Sequence, residues 1–144
     1  MSELRIERSY DIAPEELFAY VTEPANLVKW WGPDGMSIDE VRLDLRRTGP
    51  WSLTLVGPDG SRFSMHGEVL TVEPPRAVAF TMNVPGDADL GHSTVRFEIA
   101  PAGPTAARFT LIQSNITDEM VAMGKRGWGA TLARLEKLMG VVGR

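Results

Sequence analysis

The sequence predicts an α+β fold: one strand and two short helices, then a curved antiparallel sheet of six more strands wrapped around a long C-terminal helix. Three observations carry that expectation. Residues 3–12 alternate apolar with charged side chains, residues 36–114 repeat that period of two between turn signals, and the segment after Ile116 carries an apolar stripe at helical spacing.

Leu4, Ile6 and Arg8 alternate with Glu3, Arg5 and Glu7 ahead of Tyr10 and Ile12, the pattern of a strand with one covered face. Pro14 then suits the first turn of a helix, where its missing N–H is not needed. Glu15 and Glu16 complement the positive end of the dipole, and Leu17, Phe18 and Val21 supply an apolar side. Pro24 ends that helix. A second helical turn over residues 25–29 leads into Trp30 and Trp31, and Gly32-Pro33-Asp34-Gly35 breaks it. Two adjacent tryptophans at a turn belong either in a core or on the rim of a cavity, because each indole is large and apolar yet carries one N–H.

Turn chemistry at Arg47-Thr48-Gly49-Pro50, Gly57-Pro58-Asp59-Gly60, Glu73-Pro74-Pro75-Arg76, residues 85–91 and residues 100–104 leaves room for the six strands. Their alternation assigns inward faces to Trp51, Leu53 and Leu55; to Phe63, Met65 and Val69; to Val78, Phe80 and Met82; to Val95, Phe97 and Ile99; and to Phe109 and Leu111. Thr94, Arg96, Glu98 and Thr110 point the other way. Such a sheet needs one apolar cover.

The C-terminal segment supplies it. Thr117 is a good N-cap, Asp118 and Glu119 occupy the first turn, and Ile116 is placed to staple onto Val121; the helix should run to about residue 139. Met120, Gly124, Gly127, Trp128, Thr131, Leu135, Leu138 and Val142 share its sheet-facing stripe. Gly124, Gly127 and Gly129 crowd two turns, although each glycine costs a helix interior about 1 kcal/mol relative to alanine. On the sheet-facing side, the missing side chains at Gly124 and Gly127 either admit a close strand or leave volume for a guest.

Composition narrows the function. The chain of 144 residues suits a single domain over 1–144, as domains typically hold about 100–150 residues. A net charge of −4 without a basic run argues against nucleic acid or an anionic membrane as partner. No apolar run approaches the roughly 20 residues that cross a bilayer, no secretory pattern opens the chain, and cysteine is absent, so a cytoplasmic location is expected. The composition is compatible with a homodimer.

Catalytic residues are not apparent. His66 and His92 are the only histidines, and without cysteine no metal-ligand spacing emerges, so no metal and no cofactor is expected. Parity places His66 on the outer face, whereas His92 opens a strand, either bordering a pocket entrance or simply ending a loop. No Gly-x-Ser-x-Gly elbow and no phosphate loop is present. Gln113 shares parity with Phe109 and Leu111, so its amide should face inward, bonded either to Thr131 or a backbone group or to the polar end of a ligand. Asp44 and Arg46 should fix a strand end. Met65, Met82, Met120 and Met123 are either core or a soft wall suited to varied ligands.

Several motifs together resemble the activator of Hsp90 ATPase homologue 1-like domain family of the START-like (SRPBCC) superfamily. They are Lys29-Trp30-Trp31-Gly32-Pro33, Asp44-Leu45-Arg46 ahead of Gly49 and Trp51, and Asp59-Gly60 with Gly67 and Val69. Pro74-Pro75-Arg76 before Val78, Phe80 and Thr81 follows, and then Gly127-Trp128 with Leu132 and Leu135. Pro50 departs from the pattern, standing where the family usually shows a second glycine. The resemblance implies a helix-grip (START-like) fold with an internal apolar cavity between sheet and C-terminal helix, holding a small hydrophobic or aromatic molecule. On this reading the ligand contacts are Trp30, Trp31, Trp51, Met65, Phe80, Met82, Phe97, Gln113, Met120, Gly124, Gly127 and Trp128. Two alternatives follow from the same resemblance. One is an enzyme acting on a hydrophobic molecule inside that cavity, with His92 or Gln113 as the polar group. The other is a stress-response protein acting like an Hsp90 co-chaperone. The eukaryotic activator engages the chaperone through a separate N-terminal domain, and one domain should consume this whole length, so Hsp90 ranks behind a small ligand as partner.

Overall fold

The computed structural model describes residues 2–32, 35–83 and 92–144. In chain order the elements are β1 (Ser2–Tyr10), α1 (Pro14–Thr22), α2 (Pro24–Trp30), β2 (Ser37–Arg42), β3 (Gly49–Val56), β4 (Arg62–Glu73), β5 (Ala77–Asn83), β6 (His92–Gly103), β7 (Ala106–Ile116) and α3 (Asp118–Met139). All strand pairs are antiparallel in one sheet of order β1-β7-β6-β5-β4-β3-β2. The chain leaves β1 at one edge and returns as β2 at the other, so α1 and α2 bridge the width of the sheet. The long α3 then packs against β1 and α2. This is the helix-grip arrangement that the sequence predicts.

Local chemistry explains the helix bounds. Pro14 and Pro24 each open a helix, and the Glu23 N–H closes the first by donating to the Ala19 carbonyl. Thr117 caps α3 through its hydroxyl, which accepts from the Met120 N–H. At the far end Gly140 adopts φ 73°, and the Gly140 and Val141 amides fold back onto the Glu136 carbonyl. Val142 therefore lies beyond the helix and is 75% exposed, not on the apolar stripe as expected. The tail instead pairs with β1, where Ser9 and Arg144 exchange backbone hydrogen bonds.

The covered face of the sheet is aromatic. Trp51, Phe80, Phe97 and Phe109 are buried with Leu4, Leu53, Val78, Val95 and Leu111. Phe97 lies 5.4 Å from both Phe80 and Phe109 between ring centres. Buried Tyr10 reaches from β1 to α3, donating to Glu136 at 2.9 Å. Burial, and then the adjacent carboxylate, raise the pKa of its phenol well above the usual value.

Two irregularities shape the sheet around the later site. In β7, Asn115 takes φ 63° as an extra residue opposite β1, so that Ile116, three residues after Gln113, turns inward and is buried. In β4 the register slips between Val69 and Thr71, and Leu70 is 48% exposed. Beyond the slip, residues 64–68 meet β5 mainly through side chains. The Glu68 and His66 amides donate to Thr81 Oγ1 and Asn83 Oδ1, and Asn83 Nδ2 donates to the Ser64 carbonyl. Phe63, opposite Leu55 near the start of β4, keeps the face expected of it but is 49% exposed. Gly67, lacking a side chain, admits the Trp51 ring and the Thr81 carbonyl at close range. The Trp51 indole donates to the Thr81 carbonyl at 2.9 Å, and a Cβ on Gly67 would stand 1.9 Å from that oxygen.

Pro33, Asp34 and the loop at 85–91, both expected as turns, lie outside the described residues. Among those described, no helix is long and apolar enough to cross a membrane.

Candidate functional site

The first turns of α3 stand over the sheet without filling the space beneath them. A recess of about 350 Å³ remains, lined by Trp31, Gly32, Leu55, Met65, Met82, Gln113, Ile116, Met120, Met123, Gly124, Gly127, Trp128 and Thr131. Met123 is 60% exposed and Gly127 is also exposed, so the recess opens to solvent along this side of the helix.

The two glycines do different things. A Cβ on Gly124 would come within 2.6 Å of Leu4 Cδ2, so here the absent side chain lets α3 approach β1. Gly127 has no atom within 4 Å of the same position. Close packing accounts for the first and open volume for the second. Gly129, likewise, would meet nothing.

The adjacent tryptophans also divide. Leu27 and Trp30 share the buried side of α2, three residues apart, and Trp30 is fully buried with its Nε1–H donating to the Tyr20 carbonyl at 2.8 Å. Trp31 is the C-cap, with ψ 134°, so the backbone leaves the helical path and the ring is redirected to the recess. Its ring meets Trp128 edge-on at 6.2 Å and Trp51 at 5.7 Å. Trp30, Trp51, Phe80 and Phe97 thus form the packed floor behind the recess and do not line it, whereas Trp31, Met65, Met82, Gln113, Met120, Gly124, Gly127 and Trp128 do line it. Periodicity locates the inner face; it does not separate the first layer from the second.

One polar chain crosses this apolar wall. Trp128 Nε1–H donates to Gln113 Oε1 at 2.9 Å, Gln113 Nε2–H donates to Ser93 Oγ at 2.9 Å, and Ser93 donates to the Met82 carbonyl at 3.2 Å. Gln113 therefore bonds Trp128 and Ser93 rather than Thr131, whose hydroxyl donates to the Gly127 carbonyl one turn back. Buried Ser93 gives no sign of this role in sequence, because a serine in a β pattern looks like any polar residue.

Arg134 is a second residue that pattern reading misses. From α3 its guanidinium donates to the carbonyls of Trp31 at 3.1 Å, Gly32 at 2.9 Å and Lys29 at 3.3 Å. It holds the C-terminal end of α2, where the unsatisfied carbonyls carry partial negative charge, and so fixes the corner that aims Trp31.

Among the described residues no ionisable side chain lines the recess. His66 and His92 are both exposed and face one another, Nδ1 to Nε2 at 3.4 Å, on the parity opposite to Met65 and Ser93. His92 thus does not border the recess. Among the described residues no group of three or more potential metal ligands comes together. Asp44 accepts from the Arg46 amide and guanidinium and from Arg47, organising the link between β2 and β3. The Arg46 hydrogen bond, foremost, lowers its pKa to about 2.

The family described as activator of Hsp90 ATPase homolog 1-like protein matches residues 11–140. The AHSA1 protein of Silicibacter pomeroyi is 35% identical, with a TM-score of 0.87 over 96% of this chain and 98% of its own. A Chromobacterium violaceum protein at 21% identity has a TM-score of 0.81 over 96% and 97% of the two chains. A Plasmodium falciparum protein described as an Hsp90 activator is 19% identical, with a TM-score of 0.71 over the full length of both. No curated protein matches. A family match over nearly the whole chain, with a relative at this level of identity sharing its fold, places the chain in the activator of Hsp90 ATPase homologue 1-like family of the START-like superfamily.

Proposed function

We propose that the chain binds a small hydrophobic or aromatic molecule in the recess between sheet and α3. The observation that carries this reading is an apolar space of about 350 Å³ at the point where α3 gives up its side chain at Gly127. That volume lies within the roughly 300–1,000 Å³ of small-molecule sites, which are typically apolar with a few polar groups. Four methionines offer a wall that adapts to ligand shape, and Trp31 and Trp128 offer ring faces and edges.

A titration with N-phenyl-1-naphthylamine, an uncharged dye that brightens in apolar surroundings, tests it. The wild type should bind the dye saturably, and Gly127→Leu, whose side chain enters the recess, should lose most of that signal while remaining folded. Equal binding by the two proteins would reject the recess as the site. An enzymatic reading finds no proton carrier among the described lining residues, so binding is preferred to turnover.

Family membership supports a second reading, association with Hsp90, since the family takes its name from that activity. Pull-down of purified Hsp90, together with its ATPase rate in the presence of the chain, decides it. No capture and an unchanged rate would remove this reading.

A further inference from the structure

Resting on the binding reading above, we infer that the recess selects uncharged, ring-containing ligands that carry a hydrogen-bond acceptor, and that Gln113 is the residue that sets this selectivity. The orientation of its amide is forced. Trp128 Nε1 can only donate, so the atom facing it at 2.9 Å must be the Gln113 oxygen. A flipped amide would set donor against donor. The nitrogen then faces Ser93 Oγ at 2.9 Å, and that hydroxyl has already given its hydrogen to the Met82 carbonyl, so it accepts.

What remains on this chain of bonds defines the ligand. An amide nitrogen carries two hydrogens, and Ser93 takes one; the second is left for an acceptor in the recess. Thr131 lines the same space but has committed its hydrogen to the Gly127 carbonyl, so it adds no donor. Gln113 thus has an N–H to offer a ligand, and it is held by two partners that permit no reorientation. A ketone, ester or ether oxygen satisfies it.

Charge is excluded by the rest of the lining. Among the described residues it is built from Trp31, Leu55, Ile116 and the methionines and contains no ionisable group, so a carboxylate or ammonium would lose its hydration without a counter-ion. The Trp31 and Trp128 rings and the methionine thioethers of the wall favour a ring-containing guest.

Three naphthalenes of equal heavy-atom count isolate each element of this inference by calorimetric titration: 2-acetylnaphthalene, 2-naphthoate and 2-isopropylnaphthalene. The wild type should bind the ketone at least about tenfold more tightly than the carboxylate. Gln113→Leu should weaken the ketone about fivefold relative to the hydrocarbon, which needs no donor. Carboxylate binding equal to or tighter than that of the ketone overturns the charge selectivity, a result that requires no variant to fold. Equal losses for ketone and hydrocarbon in Gln113→Leu overturn the role of the amide. If none of the three binds, the recess reading itself fails, separately from its selectivity.

Discussion

Three residues of α3 separate packing from function. Gly127 meets open space, so Gly127→Ala should raise stability by about 1 kcal/mol through helix propensity alone. Gly124→Ala should lower it, because the new methyl would stand 2.6 Å from the fully buried Leu4 side chain, and overpacking typically costs about 1–3 kcal/mol. Urea unfolding of the two variants should give opposite signs. Matching signs would mean that the helix faces the sheet differently. Arg134 acts at a distance from the recess through three carbonyls of the α2 end. Arg134→Ala should cost about 1.5–3 kcal/mol, the range for hydrogen bonds to a charged group, and should also weaken dye binding, because Trp31 loses its support. A stability loss with dye affinity unchanged would confine Arg134 to a structural part.

The elements show what a sequence can and cannot disclose. Strand alternation, proline helix starts and the Thr117 cap are local signals, and the corresponding elements stand where those signals place them. The errors arise where one residue resets a pattern. Gly140 ends α3 before Val142, the slip in β4 turns Leu70 out to solvent, and the C-cap at Trp31 redirects one tryptophan while its neighbour stays in the helix. Arg134 and Ser93 were illegible for another reason, since their partners are far away in sequence. At this scale Gly67→Ala is the severe substitution: its Cβ would collide with a backbone oxygen, which cannot move as a side chain can, and stability should fall by at least about 3 kcal/mol. A milder loss in thermal unfolding would show that β4 and β5 are free to part further. The link before β3 has its own pH signature. Asp44 titrates near 2 in the folded chain against an ordinary 3.8, so its contribution is complete above 3.8 and disappears as pH falls towards 2. The stability gap between wild type and Asp44→Asn, present at neutral pH, should close over that interval; a gap that persists at the acid end would contradict the carboxylate's role.

Across the whole molecule, one architecture does two jobs. A sheet whose first and last strands are neighbours is closed by α1 and α2 on its covered face, and α3 then grips it tightly at Leu132 and Leu135 while standing off over Gly127. The tight end supplies stability, and the loose end leaves the recess. Four tryptophans happen to report on both. Trp30 and Trp51 donate to backbone carbonyls in the packed floor, whereas Trp31 and Trp128 line the open space. The most direct test is therefore a two-dimensional NMR titration of the indole N–H signals with 2-acetylnaphthalene. The resonances of Trp31 and Trp128 should move and saturate together while those of Trp30 and Trp51 stay in place. Motion confined to Trp30 and Trp51, or no motion at any of the four, would contradict a ligand site under α3.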